Sequence, residues 1–405
     1  MRIFILIIAL SQIFNSCGHP DSFPKLKFEF IQVPSLSSGQ SRLFTNHIGE
    51  TYLSWIEYEA DTSYTFQYSK LEKSIWSSPV TIKNGKDWFV NWADFPSLIQ
   101  SKNGDFAAHW LEMRGDGTYE YDVHIALSNN GKDWNKELIP HRDSLAAEHG
   151  FVSMSELENG DFIVVWLDGR NTVSTNHQHS NQMGAMTLRT ASISANGKLY
   201  NEYELDQRIC DCCQTDISVT REGPIAVFRD RSKSEVRDIS VVRVKDSVWM
   251  DPAPVHNDDW VFPACPVNGP SIETLDNHVG VLWYTGVNNN PKVQLSISED
   301  FGANFGSPIK INEQKTLGRV DLTKWDNERF IATWIEERDE QMMIMARLIN
   351  REGNLSQSYP LAEISSSRLS GFPIISSSPN GAILTWTEVS KGKTKVLTGI
   401  IQIDS

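Results

Sequence analysis

A short apolar block closing on tryptophan recurs along the chain, and its spacing limits the folds open to it. The copies end at Trp55, Trp110, Trp166, Trp283, Trp334 and Trp386, and residues 224–228, ending in Phe228, fill the gap. The intervals are 55, 56, 62, 55, 51 and 52 residues, so seven copies cover nearly everything beyond the first few dozen residues. A fixed period of this size marks stacked supersecondary units, and a four-stranded propeller blade fits ~50 residues of short strands and turns. Length alone would point to two or three domains, whereas the repeat points to one large ring. No stretch sustains a helical period, which argues against α/β folds. With 13 Trp and 22% charged residues the chain is too aromatic and too weakly charged to be disordered or a coiled coil.

Each copy parses into four strands, A to D. In the second copy, residues 96–99 form A, a Lys102-Asn-Gly104 turn leads into B ending at Trp110, residues 122–127 form C, and residues 134–139 form D. The last copy ends after C. The spare extended segment at residues 25–33 is expected to supply its D strand, closing the ring and removing an exposed sheet edge. The expected fold is all-β, a propeller of four-stranded antiparallel blades, seven in number, or six if one copy is not a true blade.

The first 16 residues read as an export signal: Met1-Arg2, an apolar run from Ile3 to Leu10, and then Cys17. The arrangement resembles a bacterial lipoprotein signal. That resemblance implies lipidation at Cys17, a linker over residues 17–24, a propeller over residues 25–405, and attachment to the cell envelope at the outer membrane. The rest of the chain has no apolar stretch long enough to span a bilayer. A formal net charge of −14 argues against a nucleic-acid partner. The protein is expected to be a monomer, and any anionic ligand small and locally held.

The turns carry a family resemblance. Ser298-Glu-Asp-Phe-Gly-Ala-Asn-Phe305 and Ser128-Asn-Asn-Gly-Lys-Asp-Trp134 resemble the Asp-box, or bacterial neuraminidase (BNR) repeat, Ser-x-Asp-x-Gly-x-Thr-Trp, and residues 69–76 are a more degenerate copy. In such a turn an Asp or Asn side chain caps backbone N–H groups, Gly takes positive φ and an aromatic ring plugs the blade end. The pattern is similar to that of the sialidase-like propeller superfamily. Sialidases have six blades and an Arg-Ile-Pro opening, which this chain lacks.

In a propeller the loops from D to A and from B to C open on one face, where ligands gather. Those loops carry carboxylates and arginines together. Sialidases hold a substrate carboxylate with three Arg, use a Tyr activated by Glu as nucleophile, and use an Asp as acid/base. The resemblance therefore implies Arg170, Arg229, Arg231, Arg237 and Arg319 as candidate substrate ligands, Tyr284 as nucleophile, Glu148 or Glu112 as its base, and Asp94 as the acid. The competing reading makes the same arginines structural, in ion pairs that hold loops. A non-catalytic propeller that binds a glycan or protein in the envelope is the other class.

Cys210, Cys212 and Cys213 lie in one D-to-A loop and Cys265 in the next, so the four thiols should meet on that face. In an exported protein they are disulfide candidates, with a directly bonded Cys212–Cys213 pair disfavoured by strain. The alternative is a soft-metal site for copper or zinc, joined by His149 or by the His177-Gln-His179 pair. Otherwise no cofactor is expected.

Overall fold

The computed structural model describes residues 23–59, 62–173 and 184–404. The expected lipoprotein signal with Cys17, and the His177/His179 pair, lie outside the described residues.

Seven antiparallel sheets are arranged as the blades of a propeller. Blade 1 spans residues 38–85, blade 2 residues 97–138, blade 3 residues 149–206, blade 4 residues 216–254, blade 5 residues 271–310 and blade 6 residues 316–363. Blade 7 takes strands A to C from Ile374–Ser378, Gly381–Ser390 and Lys393–Ile403, and its D strand from the other end of the chain, Leu26–Ile31. That strand pairs antiparallel from Leu26↔Ile403 to Ile31↔Thr398, so the ring is closed by hydrogen bonds between the two termini. The expectation of seven blades and of a terminal closing strand holds.

The repeated tryptophans explain why the copies fold alike. All six lie in B strands and are almost completely buried, with Phe228 buried at the same place in blade 4. Residues i and i+2 of a strand share a face, and four of these indoles donate to a carboxylate two residues on. Trp55 bonds Glu57 (3.0 Å), Trp110 bonds Glu112 (3.2 Å), Trp166 bonds Asp168 (2.9 Å) and Trp334 bonds Glu336 (2.9 Å). The acid after each Trp is thus a built-in acceptor for a buried N–H that would otherwise lack one. The C-to-D turns are capped as their sequences indicate. Ser298 Oγ accepts from Gly302 N (2.9 Å), Asp300 Oδ1 accepts from Asn304 N (2.8 Å), and Gly302 has φ +81°.

A second device sets up the loop face. Strands A of blades 1, 3 and 6 each carry a bulge around a Gly-X pair, Gly39-Gln40, Gly150-Phe151 and Gly318-Arg319, and X has φ of 49°, 51° and 51°. A non-glycine residue in the left-handed region is uncommon, and a bulge re-aims the side chains beside it. The axis itself is filled. Arg42 sits there with Asp216, Asp321, Phe95 and Phe372 around a void of about 20 Å³, and Trp92 stacks on Phe372 at 5.8 Å. A sugar ring does not fit in that space, so a ligand must bind away from the axis.

Candidate functional site

The loop face over blades 2 to 5 brings together most of the residues singled out from the sequence, in a different grouping from the expected one. Glu148 stands just before strand A of blade 3 (His149–Glu156), half-buried, and its Oε1 accepts a hydrogen bond from the Tyr121 hydroxyl at 3.0 Å. Tyr121 opens strand C of blade 2 (Tyr121–Ser128), is 0% exposed, and stacks on Phe89 with centroids 3.9 Å apart. Asp94 lies on the other side of Gly150. Its Oδ1 accepts from Phe151 N (2.9 Å), while its buried Oδ2 has no hydrogen-bond partner. A β-carbon on Gly150 would collide with Asp94 Oδ2 and come within 3.2 Å of the Tyr121 hydroxyl, so glycine is what lets these groups gather.

Burial dominates the chemistry of this group. It pushes Asp94 up to about 8, with the nearby Glu148 charge adding to the effect. It also pushes Glu148 up to about 7, against the Tyr121 bond and with help from the charges of Asp211 and Cys265. Desolvation penalises the ionised form of each carboxyl. Near neutrality Asp94 is then a neutral acid, and Glu148 is divided between acid and base, the condition a general acid/base needs. Tyr284, expected as the nucleophile, is elsewhere. It ends strand B of blade 5 (His278–Thr285), packs edge-on against Trp260 at 5.7 Å, and Glu148 bonds Tyr121 instead. Glu112 is occupied by the Trp110 indole.

The five arginines do not converge on one free space. Arg229, 2% exposed, donates from Nε and Nη2 to Asn268 O (2.9 and 2.8 Å), from Nη1 to Arg237 O (2.5 Å) and from Nη2 to Tyr284 O (2.7 Å), stapling blade 4 to blade 5. Arg319 bonds the Ser367 and Gly371 carbonyls over Trp92, and burial lowers it to about 10. Arg231 holds Asp211 (2.9 Å) and Glu235 (3.0 Å). Arg170 holds Asp168 and Asp143, at 2.7 and 3.1 Å. Burial works against ionisation of Asp168, yet Arg170 and His149 keep it at about 2. Arg237 is the exception: 2% exposed, it bonds Glu235 through Nη2 (2.7 Å) and leaves Nε and Nη1 without partners.

Two further clusters flank the site. His149, expected as a possible partner of the thiols, belongs instead to a buried group with His141, Asp122, Asp143 and Asp168. The His141 and His149 rings are parallel with centroids 3.7 Å apart, so their in-plane lone pairs do not meet at one point. The four cysteines are unbonded, which departs from the disulfide expectation. Cys210 and Cys213 sulfurs are 3.2 Å apart and those of Cys210 and Cys212 3.9 Å.

Beside Cys265 a groove of about 660 Å³ runs between the loop of residues 259–268 and that of residues 286–291. Trp260 and Phe262, stacked at 5.1 Å, line it together with Tyr284, Asn268, Asn288 and Asn289. Aromatic faces beside amide groups suit a pyranose ring, with its apolar face and hydroxyl rim. Tyr121, Trp260 and Phe262 escaped the sequence reading. Tyr121 lies at the start of a C strand, which shares the face with the loops but was not among them.

No protein-family model and no curated protein matches this sequence. Solved structures do. A protein of unknown function from Dyadobacter fermentans aligns with a TM-score of 0.54 at 14% identity, over 80% of this chain and 98% of its own. An ulvan lyase of polysaccharide lyase family PL25, bound to -[GlcA(1-4)Rha3S]-, aligns at 0.53 and 9% identity, over 89% of this chain and 93% of its own. The NanB sialidase of Streptococcus pneumoniae aligns at 0.49 and 12%, over 92% and 69%. At these identities the likeness is one of fold.

Proposed function

We propose that the protein binds an anionic glycan across the loop face and cleaves it by general acid–base chemistry at Glu148. The observation that carries this reading is the Glu148–Tyr121 bond: a half-buried carboxyl on the ligand-facing side, held by a tyrosine hydroxyl and raised to about 7. Glu148 is the catalytic residue. Tyr121, fully buried and pushed well up by that burial and by the neighbouring carboxyls, stays protonated and positions Glu148 by donating its hydroxyl hydrogen bond. Asp94, neutral near pH 7, adds no second charge. The groove lined by Trp260, Phe262 and Tyr284 holds neighbouring sugars. It is built from a D-to-A loop and a B-to-C loop, and so opens on the same loop face as Glu148.

Sialoside hydrolysis is the narrower form of this reading. It requires several arginines free to grip a substrate carboxylate, and Arg170, Arg229, Arg231 and Arg319 are already engaged by protein groups. Uronate-containing polysaccharides are therefore the first substrates to try, and the structurally similar ulvan lyase, bound to a glucuronate repeat, gives a starting panel. The same proposal has Cys17 lipidated and the propeller held at the bacterial envelope. Purified protein is incubated with sulfated and unsulfated polyuronates and with fluorogenic sialosides, following new reducing ends and unsaturated uronate absorbance. Turnover that falls by roughly 100-fold or more in Glu148→Gln, with substrate affinity kept, is the expected result. Full turnover by Glu148→Gln would remove Glu148 from the chemistry. Tight binding with no turnover on any substrate would leave a binding propeller.

A further inference from the structure

The cysteine cluster borders the proposed glycan groove, which Cys265 helps to line, and its geometry is that of a ligand set. We propose that Cys210, Cys212 and Cys213 form a three-thiolate site for a thiophilic d10 cation, Zn(II) or Cu(I), with Cys265 as the fourth ligand.

One sulfur from each of Cys210, Cys212 and Cys213 falls within 4.8 Å of the other two. A Zn–S bond of about 2.3 Å places neighbouring sulfurs of a tetrahedral shell roughly 3.8 Å apart; the Cys210–Cys212 separation is 3.9 Å and the Cys210–Cys213 separation 3.2 Å. A disulfide needs about 2.05 Å. Small side-chain rotations would open the closer pair to ligand spacing. Cys265 comes from the next D-to-A loop and is exposed, which makes it the candidate to complete the shell from the solvent side.

The loop is held in place without any ion. Cys210 N donates to Arg229 O (3.0 Å), tying the thiols to the end of strand B of blade 4 (Gly223–Arg229). On the far side Gln214 donates to Ala93 O (2.6 Å) and accepts from Gly269 N (3.0 Å), which fastens the same loop to blades 2 and 5. Cys210 and Cys213 are buried, Cys212 is half-buried and Cys265 exposed, giving an ion a route in from one side.

The second, independent observation is Arg237. It is 2% exposed, and two of its N–H-bearing nitrogens, Nε and Nη1, have no partner. Its carbonyl accepts from Arg229 Nη1 (2.5 Å), and the Arg229 carbonyl accepts from Cys210 N (3.0 Å), so it belongs to the frame that holds the thiols. A buried guanidinium with unsatisfied donors is costly by itself. Three thiolates around a divalent ion carry a net −1, and around a monovalent ion −2, and Arg237 is a nearby cation whose Nε and Nη1 are not engaged elsewhere. Outer-shell donors of this kind hold metal ligands in orientation. A bound ion would join the loops leading into blades 4 and 5 on the border of the Trp260 groove.

The test uses the full chain prepared under reductant and stripped with chelator. Zn(II) and Cu(I) are titrated separately against a chromophoric competitor, and Co(II) serves as an optical probe because thiolate ligands give it intense charge-transfer absorption. One equivalent is expected, with a rise in melting temperature of the wild-type protein. Cys210→Ser or Cys213→Ser should weaken binding by at least about 100-fold, and Arg237→Gln by roughly 10- to 100-fold. The wild-type readings stand even where a variant fails to fold. No charge-transfer band and no thermal shift with any of the three ions would overturn the site, as would peptide mapping that finds Cys210 joined to Cys213 in freshly isolated, metal-free protein. Neither result bears on Glu148, so this proposal and the glycan reading fail separately.

Discussion

Asp94 shows how one buried carboxyl ties stability to pH. Its native value of about 8 lies far above the usual range near 4, so the fold prefers the protonated acid. The contribution is fully present below about pH 4 and is lost as pH rises through about 8. Glu148, raised to about 7, acts in the same direction. The protein should therefore lose a few kcal/mol of stability between about pH 4 and pH 8, and Asp94→Asn should flatten much of that slope while keeping an acceptor for Phe151 N. Denaturant melts at several pH values check this; an unchanged slope in the variant would mean that Asp94 ionises freely in the native protein. Asp94 and Glu148 were legible because both precede an A strand, where loop and sequence position coincide. Tyr121 was not, because a strand-opening aromatic looks like any core residue. The competing reading of arginines in ion pairs that hold loops describes Arg170 and Arg231; Arg229 was not legible as a staple, because it is bound by the carbonyls of Arg237, Asn268 and Tyr284, and carbonyls leave no mark in a sequence.

At the scale of the strand, the Trp-x-acid pattern joins a packing signal to a polar one. The period identified the blades because each needs a large ring at the same depth of its B strand, and Phe228 fills that place where Trp is missing. The acid two residues on reads in the sequence as a site carboxylate, which is how Glu112 entered the candidate list; the indole bond explains it structurally. Trp334 and Trp386 separate the two contributions. Both are buried, but only Trp334 donates to an acid, Glu336, which also accepts from Glu313 N (2.8 Å). Replacing either by Phe removes similar apolar volume, while Trp334→Phe also costs a bond to a buried charged acceptor. Trp334→Phe is expected to destabilise the protein by about 1–2 kcal/mol more than Trp386→Phe, in chemical denaturation followed by circular dichroism. Equal losses would show that the indole bond adds nothing beyond packing.

For the molecule as a whole, the filled axis and the closing strand have linked consequences. With only about 20 Å³ at the centre, the ring is a scaffold and ligand chemistry is displaced to the rim of the loop face. The relative angles of blades 2 to 5 then decide whether Glu148, the thiols and the Trp260 groove stay in one register. Those angles depend on a ring that is closed by one short strand. Leu26–Ile31 makes six residue pairs with strand C of blade 7, and Phe28 packs on Trp386 at 6.0 Å and on Phe30 at 5.3 Å. Gly399 leaves the space for Phe28, since a β-carbon there would collide with its ring. Phe28→Ala, at a half-buried position, should cost about 2 kcal/mol, below the usual penalty for a core Phe. Gly399→Val should do more, because it denies the strand its seat rather than trimming it. A chain starting at residue 33 would expose the backbone edge of Lys393–Ile403, and an uncovered edge of that length recruits another strand. Such a truncation is expected to form larger species than the full chain in light scattering, with a synthetic peptide of residues 23–33 restoring the full chain's size. A truncated protein that keeps the full chain's size and melts like it would mean that the other six interfaces hold the ring, and that the terminal strand only covers an edge.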